Sequence, residues 1–104
     1  MPGMEQRQYR RYPIEAPAVL NVEGRPGPFL VTLLDVSANG LRLSSPVALP
    51  QGAKVRINCL SRQLSGTIRY SRPMEDSRFN IGVLVETVSG GAEEVDLVSL
   101  FRRR

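Results

Sequence analysis

Phe29-Leu30-Val31-Thr32-Leu33-Leu34-Asp35-Val36 is the longest apolar run in the chain. Ser37-Ala38-Asn39-Gly40 breaks it, and Leu41-Arg42-Leu43 resumes an in-out-in alternation. A run of this length, closed by a cluster of turn formers, has the bounds of a strand. Its near-continuous apolarity predicts burial on both faces, or nearly so. The period of two after the break places a second strand directly beyond it.

The same period recurs on either side. Upstream, Ala18, Leu20 and Val22 alternate with Val19 and Asn21, after an extended stretch punctuated by Pro13 and Pro17. Residues 23–28 read as a turn, since glycine supplies positive φ and proline withholds a ladder donor. Past a loop over 46–52, Val55, Ile57 and Cys59 point one way, and Lys54, Arg56 and Asn58 the other. Leu64, Gly66, Ile68 and Tyr70 share one face of a further strand, which puts Tyr70 toward the core although its ring could also stack on an exposed base. After a polar loop over 72–77, Phe79, Ile81, Val83 and Val85 mark a last strand. Gly82 within it signals a bulge or a close backbone approach.

From Ala92 to Phe101 the period changes. Val95, Val98 and Phe101, with Leu97 and Leu100, form a helical stripe. Glu93 and Glu94 in its first turn and Arg102 to Arg104 after its last match the helix dipole. The expected fold is therefore all-β: a small six-stranded antiparallel barrel, favoured because closure leaves no exposed edge, with a C-terminal helix over 92–101. Residues 1–12 are polar and basic with no stripe to bury and read as a flexible arm. Residues 13–104 form the domain.

At 104 residues the chain has room for one core. It is 41% hydrophobic and 23% charged, with nine glycines and eight prolines, a globular composition that favours many short strands. The net charge of +4 suits an anionic partner, or serves solubility alone. No apolar run is long enough to span a bilayer, and the first residues lack the apolar centre of a signal peptide, so no membrane insertion is expected. One cysteine forms no internal disulfide, which fits a reducing cytoplasm. Cys59, on the face of Val55 and Ile57, is expected in the core.

There is no histidine. The usual general base, triad partner and imidazole metal ligand are thus missing, and a lone cysteine builds no zinc centre. The glycine pairs lack the spacing and lysine of a phosphate-cradling loop. No enzyme activity, metal or cofactor is expected.

Two constellations remain. Arg7 and Arg11 lie four apart on the arm, where two planar guanidinium groups can embrace one compact anion or bind the O6/N7 edge of guanine. The plain alternative is a solvated basic tail. Asp35-x-Ser37-x-x-Gly40 offers a carboxylate that can accept from guanine N1–H and N2–H2, a hydroxyl, and a glycine for a positive-φ reversal and close ligand approach. Its alternative is a turn in which Asp35 and Ser37 cap their own backbone.

Together, Arg7-x-x-x-Arg11 and then Asp35-x-Ser37-x-x-Gly40 after the second strand resemble the paired motif of PilZ domains. Phe79-Asn80-Ile81-Gly82-Val83 resembles the late strand of that family, and the likeness runs from about Gln6 to Glu86. Asn39 stands where many members carry a second glycine; asparagine tolerates left-handed backbone, so the turn is expected to survive. The resemblance implies a bacterial, cytoplasmic β-barrel receptor for the second messenger cyclic di-GMP. Arg7 and Arg11 would grip phosphate and guanine, Asp35 and Ser37 would read a guanine edge, and Gly40 would shape the turn. Arg10 and Asn39 are further candidate contacts, and Gln6, beside the arginine motif, is a candidate for setting ligand stoichiometry. Arg69, Arg72 and Arg78 add positive potential to a barrel face or are ordinary exposed positions.

Binding would fold the arm over the ligand and change contacts with a downstream effector protein, from a monomer or weak dimer. A second reading is a nucleotide-independent adaptor using the apolar Leu97, Leu100 and Phe101. A third, RNA binding, is disfavoured by an aromatic content of 6%, and no DNA partner is expected.

Overall fold

The computed structural model describes residues 11–89, together with Leu97 and Val98. Six strands run in chain order: β1 (Tyr12–Val22), β2 (Phe29–Val36), β3 (Gly40–Ser45), β4 (Lys54–Cys59), β5 (Arg62–Pro73) and β6 (Phe79–Ser89). They form a closed barrel in the order β1-β2-β3-β6-β5-β4. Every neighbouring pair is antiparallel. Closure comes from Val19–Val22 of β1 against Val55–Asn58 of β4. The link from β3 to β4 joins strands that are not neighbours in the barrel, and on the way it inserts Leu49 into the core.

The inward residues are those expected from the period of two. Leu20, Leu33, Leu43, Ile57, Leu64 and Ile81 are fully buried, and β4 alternates strictly between core and solvent. Cys59 joins this core, its thiol directed at the Pro17 carbonyl (3.5 Å), and burial pushes the thiol pKa up. Such a thiol is an inert packing group.

Several expectations need correction. β2 is not buried on both faces: Val31 and Leu33 point inward, while Leu30, just before them, is 75% exposed and Thr32 between them is half-buried. A barrel of antiparallel strands gives each strand a solvent face, and the apolar run merely exceeds what the core takes. The sheet also begins earlier than expected, because Tyr12 and Pro13 already pair with Val36 and Asp35. Pro13 and Pro17 are tolerated because β1 pairs with β4 only from Val19 onward, which leaves the proline-bearing half with an open edge.

The largest departure is parity. Bulges interrupt the register at Leu33/Asp35 in β2 and at Ile68/Tyr70 in β5. Each adds one residue and turns the following side chain over. Asp35 pairs with Arg42, which lies between the buried Leu41 and Leu43 and so faces outward. Tyr70 pairs with Gly82, which lies between the buried Ile81 and Val83. Tyr70 is therefore on the outer surface, not in the core. Gly82 is a point of close approach, and what approaches is the ring of Tyr70, which occupies the space a Cβ would need.

The expected helix over 92–101 lies outside the described residues except for Leu97 and Val98, which have helical backbone. Leu97 is buried in the core and Val98 packs against it, so Leu97 is not available as adaptor surface; Leu100 and Phe101 lie outside the described residues. Ile57→Ala, at a fully buried site, should lower unfolding stability by about 2–5 kcal/mol, read from the urea midpoint at unchanged m-value.

Candidate functional site

Arg11 immediately precedes β1, and the pairing of Tyr12 with Val36 brings it beside the end of β2. Its Nε donates to Asp35 Oδ1 at 2.9 Å. Asp35 also receives Arg42 from across the β2–β3 hairpin: Arg42 Nε lies 3.1 Å from Oδ1 and 3.0 Å from Oδ2, and Nη2 lies 2.6 Å from Oδ2. One carboxylate thus holds two guanidinium groups on the outer wall of the barrel. The Asp35 side chain is 10% exposed, against 42% for Arg11 and 34% for Arg42. Burial alone would raise the Asp35 pKa. The hydrogen bonds from Arg42 and Arg11, with their charges, outweigh it and hold the carboxyl below its ordinary value.

The turn after β2 closes on itself. The Ser37 backbone N–H donates to the Gly40 carbonyl at 2.8 Å, and the Ser37 hydroxyl donates to the same oxygen at 3.3 Å. Val85 N–H donates to the Asn39 carbonyl at 3.0 Å, which ties the turn to β6. Neither Asn39 nor Gly40 takes a positive φ, so the expected left-handed reversal is absent. The glycine is needed for another reason. A Cβ at position 40 would meet the Val83 carbonyl oxygen of β6 at 2.8 Å, so Gly40 serves strand-to-strand approach.

These elements border one cleft of about 400 Å³. Arg11 before β1 and Ser37, Asn39 and Gly40 of the β2–β3 turn line it. Arg69, Tyr70 and Arg72 of β5 and Gly82 of β6 line it as well, with the Arg72 guanidinium over the Tyr70 ring at 4.4 Å from its centroid. The lining holds three arginines and no carboxylate, Asp35 sitting just behind Arg11. A second cleft of about 370 Å³ is lined by Glu23, Lys54, Arg56 and Glu86, and there Lys54 pairs with Glu86 at 3.5 Å. Of these two clefts among the described residues, the first has the excess of cations, a lining that suits an anion.

A family model, that of the PilZ domain, matches residues 5–101. The chain belongs to the PilZ domain family. No curated protein matches it. Of the residues expected at a PilZ site, the structure brings Arg11, Asp35, Ser37, Asn39 and Gly40 together across 24 residues of sequence between Arg11 and Asp35. Arg7 and Arg10 lie outside the described residues.

Arg42 was not anticipated. Counting back from the Ser37–Gly40 turn places residue 42 opposite residue 35, a signal the sequence carried. Among the described residues no cluster of acidic or cysteine side chains could hold a metal, and no helix is long and apolar enough to cross a membrane.

Because the Asp35 pKa is depressed on folding, its contribution is full above the unfolded value of about 3.9 and is lost as pH falls through the lower folded value. Asp35→Asn should cost about 1–3 kcal/mol at pH 7. The gap between variant and wild type should close progressively in urea titrations below about pH 4.

Proposed function

We propose that this PilZ domain is a receptor for cyclic di-GMP that binds in the arginine-lined cleft and performs no catalysis. What supports the reading is the meeting of Arg11, Asp35 and the Ser37–Gly40 turn at a single cation-rich cleft in a chain of this family. Arg11 supplies a planar cation for phosphate oxygens or for the guanine O6/N7 edge. Asp35 supplies acceptors for guanine N1–H and N2–H2, which a site for phosphate alone would not need. Arg7 is assigned as the second clamp of the arginine motif, with Arg10 and Asn39 as further contacts.

The arginine contacts of Asp35 also suggest how binding is transmitted. Both Asp35 oxygens are engaged by arginine, Oδ1 by Arg11 and Arg42 and Oδ2 by Arg42 alone. A guanine that uses Asp35 must release Oδ1 from Arg11, whose guanidinium then transfers to the ligand's phosphate. Arg11 is contiguous with the segment that carries Arg7, so this exchange would draw the arm over the ligand. The rearranged arm would present a new surface to an effector protein, in a bacterial cytoplasmic setting.

Calorimetric titration with cyclic di-GMP should give saturable binding, reduced at least tenfold by Arg11→Ala and by Arg7→Ala. Absence of heat from the wild type at high ligand would overturn the receptor reading.

A further inference from the structure

Tyr70 and Arg72 form a layered pair that the motif residues do not explain. The bulge at Ile68/Tyr70 turns the tyrosine outward, and the missing side chain at Gly82 leaves room for the ring to settle against β6. Arg72 then lies over the ring. Arg72 is paired across the sheet with Asn80, whose buried Oδ1 has no hydrogen-bond partner among the described residues. The guanidinium lies on the phenol of Tyr70. Both residues also line the cleft that Arg11 and Ser37 border.

A guanidinium resting on an aromatic face is held flat, and its outer plane remains open to another π-system. We propose that Arg72, held by Tyr70, is a base-stacking plane of the cleft, on which a purine ring of the ligand lies while its edge is read across the cleft. Arg72 is the contacting residue. Tyr70 is a positioning residue that fixes the tilt of the guanidinium, and Gly82 permits that position. The inference rests on the receptor reading, and it adds to that reading a preference for flat heteroaromatic bases over other anions of equal charge.

The test titrates cyclic di-GMP into the full chain and its variants at low and high salt, with circular dichroism to confirm folding. Arg72→Ala and Arg72→Lys should each weaken binding by about tenfold, because lysine restores the charge but not the plane. Tyr70→Leu should weaken it similarly, whereas Tyr70→Phe, which keeps the ring, should stay within about twofold of wild type. The losses of the charge-conserving Arg72→Lys and Tyr70→Leu should be nearly equal at both salt concentrations, unlike the salt-sensitive loss of a phosphate contact.

Gly82→Ala, which forces the ring off β6 without removing a donor, should reproduce the Tyr70→Leu effect. Wild-type affinity in Arg72→Lys would assign Arg72 to phosphate and overturn the stacking plane. Wild-type affinity in Tyr70→Leu or in Gly82→Ala would overturn the positioning role. Failure of the wild type itself to bind would overturn the receptor reading, and this inference with it.

Discussion

Pairing of Val19–Val22 with Val55–Asn58 closes the sheet on itself, and closure divides every strand into an inner and an outer face. The inner faces fill mainly with leucine, isoleucine and valine, and the fully buried Ser45 hydroxyl is satisfied by the Val47 backbone. Function is therefore confined to the outer faces and the strand ends. What reaches those surfaces is decided by register, and two extra residues decide it at the cleft. Without the bulge at Leu33/Asp35, a carboxylate would point into an apolar core, where an unpaired charge is prohibitively costly. With it, the carboxylate meets Arg42 on the outside. The bulge at Ile68/Tyr70 does the same for a phenol on the neighbouring wall.

Glycine positions follow the same logic of close approach. Gly40 gives way to a carbonyl of β6, and Gly82 gives way to a ring from β5. In each case the residue's value lies in a neighbour distant in sequence. This separates two sources of a glycine requirement: the backbone angle, which is local, and the space, which belongs to the assembled sheet.

That distinction also explains how much could be read before the fold was known. The six strands and their core residues were legible, because a period of two in β1 and β4 is a local property that tertiary packing only ratifies. The joint appearance of Arg11, Asp35 and Ser37 was legible as a motif. The outward turn of Tyr70 was not, since alternation with Ile68 assigns it to the core unless the bulge is known. Gly40 was assigned the wrong reason for the same cause: the oxygen it makes room for arrives only when β3 pairs with β6. Arg42 lay between these extremes, readable from the turn length but only once the hairpin register is taken seriously.

The Arg11–Asp35–Arg42 cluster has a consequence for sensitivity. On the proposed receptor reading, the stability of an ion pair that opens when a ligand seats is subtracted from the ligand's apparent affinity. Each ~1.4 kcal/mol so subtracted raises the half-saturation concentration tenfold. In that reading the carboxylate would set a threshold as well as a specificity. A domain of unchanged fold could be retuned to a richer or poorer signal by adjusting how firmly Arg42 shares Asp35 with Arg11, without touching any group that meets the ligand's phosphates.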